Sequence, residues 1–124
     1  MHRDLTALIG VSDDSQREQI HDILFNRFGY FTTAVSKLDK MLTLMKRDAY
    51  HLYLMELDSR AAGSHQTYFA KNFYQGLEEK IKRKDAKFLC LCNDEDVLSY
   101  AQQEGLPACL ISDFVSDPDR FVRD

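Results

Sequence analysis

Five times along this chain a short apolar run gives way to a longer stretch whose apolar residues recur at helical spacing, and few folds accommodate that alternation. The first run, Leu5-Thr6-Ala7-Leu8-Ile9-Gly10-Val11, is closed by Ser12-Asp13-Asp14. Behind it, Ile20, Ile23, Leu24 and Phe28 share one helical face. Asp14 or a neighbour is placed to accept an orphan N–H at the start of that helix, and Gly29 to end it in the left-handed conformation. Residues 30–35 form the second run. Ser36-Lys37-Leu38-Asp39 then has the form of a capping box, with Asp in place of Glu, ahead of a stripe of Leu38, Met41, Leu42 and Met45. Asp48-Ala49 turns the chain into a third run over residues 50–57. Residues 58–63 read as a loop, and Phe69, Phe73, Leu77 and Ile81 recur every four residues on a third helix interrupted at Gly76. The fourth run, residues 87–92, meets Asn93-Asp94-Glu95-Asp96, which opens a helix with anions where its dipole favours them. Val97, Leu98 and Ala101 face inward there and Gly105 closes it; residues 108–111 are the fifth run, and Pro118 marks the start of a last helix.

Strands apolar on both faces and separated by helices imply a parallel sheet covered on each side. With right-handed crossovers, the expectation is a flavodoxin-like (βα)5 three-layer sandwich, α/β in class, with a five-stranded sheet of order 2-1-3-4-5. The 124 residues suit one domain. Loops at the carboxyl ends of strands one and three meet at the switch point of such a sheet, so function is expected near Ser12, Asp13, Asp14, Glu56, Asp58, Cys92 and Ser112. With 16 Lys+Arg against 20 Asp+Glu, the formal net charge of −4 argues against direct nucleic-acid binding, which needs cations to neutralise phosphates. No apolar run approaches the roughly 20 residues that span a bilayer. Met1-His2-Arg3-Asp4 does not lead into a secretory leader, and three cysteines without metal-site spacing read as reduced thiols, so a cytoplasmic protein is expected.

Leu8-Ile9-Gly10-Val11-Ser12-Asp13-Asp14, followed after one helix by Phe28-Gly29-Tyr30, resembles the start of a CheY-like response-regulator receiver domain. His51-Leu52-Tyr53-Leu54-Met55-Glu56 and Glu104-Gly105-Leu106-Pro107 resemble its third strand and the approach to its fifth. The likeness spans the whole chain and lies in layout more than in motifs. In an active receiver, two acidic residues after strand one hold Mg²⁺, and an Asp ending strand three takes the phosphoryl group. A Thr or Ser ends strand four, and a Lys, usually followed by Pro, ends strand five. Carried onto this chain, the acidic pair becomes Ser12 and Asp13, the acceptor Glu56, the hydroxyl residue Cys92, and the lysine and proline Ser112 and Asp113. Only Asp13 keeps its type. Ser12 is a weaker neutral ligand for a cation that prefers carboxylates, Glu56 adds a methylene to an arm whose position decides in-line transfer, and no lysine neutralises the incoming charge. Asp58, two residues beyond Glu56, is the alternative acceptor if the register slips, although Gly63 already sits closer to Glu56 than the family's spacing would place it.

The resemblance therefore implies a degenerate receiver: no enzyme, no cofactor, Mg²⁺ weak or absent with Asp13 and Glu56 its best remaining ligands. It would serve as a phosphorylation-independent interaction module in bacterial two-component-type signalling. The alternatives are a phosphorylation-competent receiver using Asp58, or a flavodoxin-like cofactor-binding module, although no phosphate-cradling loop follows strand one. Glu56 reads either as a built-in anion or as a tolerated polar residue. Cys90, Cys92 and Cys109 form a candidate redox group, and Lys80, Lys82, Arg83, Lys84 and Lys87 a basic cluster that complements a helix C-terminus. The expected partners are a signalling protein or a fused output domain C-terminal to residues 1–124. A second copy is the other candidate, docked on the face of the fourth helix, fifth strand and fifth helix: Leu98, Gln102, Gln103, Phe114 and Phe121. The helix after Pro118 looks too short to cover Phe114, Phe121 and Val122, which motivates that face.

Overall fold

Each apolar run becomes a strand. The computed structural model describes residues 4–57 and 65–123. Its strands are β1 (Thr6–Gly10), β2 (Phe31–Val35), β3 (Leu52–Leu57), β4 (Lys87–Cys92) and β5 (Ala108–Leu110), joined into one parallel sheet of order β2-β1-β3-β4-β5. Between them lie α1 (Asp14–Phe28), α2 (Leu38–Arg47), α3 (His65–Gly76), α4 (Glu78–Lys82) and α5 (Glu95–Gln103); α6 (Ile111–Ser116) and α7 (Pro118–Val122) follow β5. This is the flavodoxin-like order that the alternation demands.

The sheet separates two cores. Leu8, Tyr53, Met55, Phe88, Cys90 and Cys92 face Met41 and Met45 of α2, Ala70 of α3, Leu77, and Val97 and Ala101 of α5. Ala7, Ile9, Leu52, Leu54, Leu91 and Cys109 face Ile20 and Leu24 of α1, Ile111 and Phe114 of α6, and Val122 of α7. Tyr53 is wedged edge-on between Tyr50 and Phe73, at centroid separations of 5.6 and 5.0 Å. That geometry suits ring quadrupoles, which bring the positive edge of one ring to the negative face of another.

The start and stop residues act largely as their chemistry dictates. The cap of α1 is Asp13, one residue before Asp14, with its Oδ1 accepting the Gln16 N–H at 2.8 Å. Gly29 ends α1 at φ 74°, and Asp94 caps α5 by accepting the Val97 N–H at 2.9 Å. The expected capping box does not form: α2 starts at Leu38 after Lys37, without a side-chain cap, and Ser36 instead borders a cleft beside β1. The third helix breaks into α3 and α4 at Leu77, which follows the poor helix former Gly76 and is itself buried.

The largest departure lies after β5. The strand ends at Leu110, and Ile111, Phe114, Pro118 and Val122 recur at spacings of three and four, so residues 111–122 fold as two short helices with one buried stripe. Phe114 is 0% exposed and Val122 6%, which corrects the expectation of an uncovered apolar stripe; Phe121 is half-buried and stacks on Phe114 at 6.0 Å. α7 is fastened by the Lys87 ammonium donating to the Val122 carbonyl (2.5 Å) and by Arg27 of α1 facing Asp119 at 3.5 Å. Of the expected docking residues, Gln102 and Gln103 are exposed and Leu98 is half-buried.

Two backbone positions make the packing testable. Gly10 of β1 passes so close to α2 that a Cβ there would lie 2.1 Å from Met41 Sδ, inside a core that buries Met41. Gly10→Ala should therefore cost about 1–3 kcal/mol in denaturant unfolding through overpacking. Lys84, after α4, holds φ 60° without being a glycine, while the Asp85 N–H donates to the Lys80 carbonyl at 2.8 Å. Removing the Cβ penalty with Lys84→Gly should stabilise the fold by about 0.5–1 kcal/mol in the same assay.

Candidate functional site

The register Gly10↔Met55 brings the ends of β1 and β3 level, so that Ser12, just past β1, stands beside Glu56 of β3. The Ser12 N–H donates to Glu56 Oε1 at 2.9 Å, and the Ser12 hydroxyl donates to the same oxygen at 2.8 Å. Asn93, just past β4, donates from Nδ2 to Glu56 Oε2 at 2.8 Å. Gln16, in the first turn of α1, donates in turn from Nε2 to Asn93 Oδ1 at 3.1 Å. Both oxygens of one half-buried carboxylate are thus engaged by donors from two other strand ends. Hydrogen bonds of this charge-assisted kind are about twice as strong as neutral ones.

Beside the carboxylate, Arg17 donates from Nη1 to the Val11 carbonyl at 3.0 Å and pairs through Nη2 with Asp14. It ties the segment that carries Ser12 to the first turn of α1. A cleft of about 180 Å³ opens between Glu56, Ser12, Gly10 and the start of α2 at Ser36, Lys37 and Leu38. A second cleft of about 460 Å³ runs from Gln16 and Asn93 to Ser112 and Ser116. The buried Oε1 of Gln16 accepts no hydrogen bond from any of the described residues.

The residues expected at the site separate. Ser12 and Glu56 meet. Asp13 lies at the same rim, its Oδ1 committed to capping α1. Cys92 is fully buried and packs in the core shared with α2 and α5; burial, and then the nearby Asp94, push its thiol up to about 11. Ser112 is exposed in the first turn of α6, with Asp113 beside it, and reaches the site only through the cleft it shares with Asn93. Asp58 and Gly63 lie outside the described residues. Sequence reasoning missed Asn93 as a site residue, taking it only for a helix opener. Its signal was a carboxamide directly after strand four. Gln16 and Arg17 were missed because nothing local marks which polar residues of α1's first turn lean over the sheet.

These donors do not fit the Mg²⁺ of an active receiver. Such an ion needs several oxygen ligands in a near-octahedral shell. Here the Ser12 and Asn93 hydrogens converge on Glu56, where a cation would need bare carboxylate oxygens. Among the described residues no three His, Cys, Asp or Glu side chains gather in a way that could hold a metal ion.

The fold so built is that of the CheY-like response-regulator receiver domains. A receiver domain protein from Methanospirillum hungatei superposes with a TM-score of 0.68 at 12% identity, covering 95% of this chain and 93% of that one. An orphan response regulator of H. pylori gives 0.66 at 16%, covering 96% and 97%, and the beryllofluoride-activated DrrB receiver domain gives 0.64 at 10%, covering 98% and 100%. At these identities the likeness is one of fold. No family model matches the sequence. No curated protein matches it either.

Cys109 lies on the opposite side of the sheet from the other two thiols. Cys90 and Cys92 face the core under α2 and α5, whereas Cys109, which pairs with Leu91, faces the core under α1 and α6. Burial raises all three thiols, Cys109 to about 12, with Cys92 and Asp113 adding to the rise there. Raised folded-state values mean that the protonated thiols contribute stability in full below about pH 9. That contribution is lost as pH climbs through about 11 and 12. Ellman's reagent at pH 8 should label no thiol until denaturant is added, and unfolding free energy should fall more steeply above pH 9 in the wild type than in Cys92→Ala.

Proposed function

We propose that this chain is a receiver-type signalling module that binds its partner, a signalling protein or an output domain, without taking up a phosphoryl group. The single observation that supports this reading is the occupied carboxylate. Glu56 stands at the strand end where a receiver carries its acceptor, and the donors that would meet a phosphoryl oxygen are already spent on Glu56 itself. A carboxylate held by three donors among the described residues is a fixed anion at that corner, although it lacks the charge and the three strong acceptors of a phosphate. The partner's docking surface is assigned to the exposed side of α5 at Gln102 and Gln103, with Leu98 at its margin. No helix among the described residues is long and apolar enough to cross a membrane.

The reaction chemistry follows from what the side chains can do. An acceptor must present an unencumbered oxygen in line with the leaving group, and the transferred charge must be neutralised as it develops. Glu56 offers neither free oxygen, and Ser112 cannot supply the cation that a lysine would bring. Incubation with acetyl phosphate and Mg²⁺ should leave the intact mass unchanged, and titration with beryllofluoride and Mg²⁺ should release no saturable heat. Glu56→Asp should not restore uptake, because Ser12 and Ser112 remain. Stoichiometric beryllofluoride binding by the wild type would overturn the proposal. Glu56→Ala should lower stability by about 1–2 kcal/mol, since it removes the shared acceptor of Ser12 and Asn93.

A further inference from the structure

The free edge of the sheet carries a self-complementary pattern. β2 reads Phe31-Thr32-Thr33-Ala34-Val35, with no charge and no proline to blunt an edge strand. The Phe31 N–H donates to the Leu5 carbonyl and the Val35 carbonyl accepts from Val11, so the odd-numbered residues spend their backbone groups on β1. In a parallel ladder the alternate residues, Thr32 and Ala34, then direct their N–H and C=O groups away from the sheet. Side chains alternate as well. Thr32 turns to α1, where its hydroxyl bonds His21, while Val35 packs toward α2; Phe31 shares the side of Val35 and is 57% exposed. Beside Val35 a groove of about 480 Å³ is lined by Asp39, Lys40, Thr43 and Leu44 of α2. A knob and a hole thus sit on one edge, on one side of the sheet, four residues apart.

We propose that a second copy of this chain adds to β2 as an antiparallel strand centred on Thr33, extending the sheet across a two-fold axis. In that register Thr32 of each copy lies opposite Ala34 of the other, and these are the residues whose backbone groups point outward, giving four hydrogen bonds. Phe31 lies opposite Val35, in the non-hydrogen-bonded pairs where side chains approach most closely, so each Phe31 enters the groove of the other copy. The two α2 helices then run antiparallel on the same side of the enlarged sheet. The acidic first turn of one (Asp39) faces the basic last turn of the other (Lys46 and Arg47), so the charges complement as well. An isologous contact requires this reciprocity. The proposal does not depend on the fate of phosphoryl groups at Glu56.

The dyad makes the test sharp, because position 33 opposes itself. Sedimentation velocity of the full chain should show mass rising with concentration from 14.4 kDa toward twice that value. Thr33 is exposed, so Thr33→Lys and Thr33→Glu should each keep the wild-type circular dichroism and each remain monomeric, through like charges on the axis. An equimolar mixture of the two should dimerise again. Phe31→Ser should weaken the wild-type dimer roughly tenfold or more, from the loss of a buried aromatic ring. Without any variant, hydrogen exchange on the wild type should slow at Thr32 and Ala34 when the protein is concentrated. A wild type that stays monomeric at its highest soluble concentration overturns the proposal. So does a dimer that survives Thr33→Lys, and so does exchange at Thr32 and Ala34 that is indifferent to concentration.

Discussion

The pairing of β1 with β3 is the constraint on which the other features hang. Parallel strands cannot be joined by a tight turn, so the chain must leave the sheet after β1, build β2 on the outer side, and return for β3 beside β1. That return divides the helices between the two faces of the sheet and brings two strand ends level at the point where the winding reverses. Gly10 lies within this pairing with its missing side chain turned to Met41, so the close approach of α2 to β1 is set by the same few residues that set the register. Ser12 and Glu56 meet because nothing in this arrangement allows them to be apart.

The carboxylate cluster that results has an internal logic of donors and acceptors. An ionised carboxyl is acceptor-only, whereas a backbone N–H and the amide end of asparagine are donors. A site built to hold a cation collects acceptors; this one alternates, from Gln16 through Asn93 to Glu56 and back to Ser12. Such a chain of hydrogen bonds ties the segments after β1 and β4 to Glu56 of β3. Leaving any member without its partner costs the desolvation of what remains, which resists piecemeal change.

Much of the fold was legible because strands buried on both faces write themselves as uninterrupted apolar runs, and the run over residues 87–92 matches β4 residue for residue. The segment after β5 was less legible. There Ile111 belongs equally to an apolar run and to a helical stripe, and only the sheet's third dimension decides between them. Cys92 and Asn93 teach the same lesson at the site. A strand alternates its side chains, so a shift of one residue at a strand end exchanges the core, where Cys92 is buried, for the rim, where Asn93 bonds Glu56. Ser12 and Glu56 were found because both sit at ends that the topology itself brings together.

The two cores differ in when they can be completed. Every buried residue of the core under α2, α3 and α5 lies at or before residue 106, whereas the core under α1 is finished only by residues 111–122. A chain made from its N-terminus therefore presents Ile20 and Leu24 on α1, and Leu91 on β4, with part of their cover still missing. That cover arrives when α6 and α7 emerge and Lys87 closes on the Val122 carbonyl. During synthesis at about 5–20 residues per second, that half-covered face persists for roughly two to six seconds after Leu91 is made. A chain lacking residues 111–122 would keep that face half-covered.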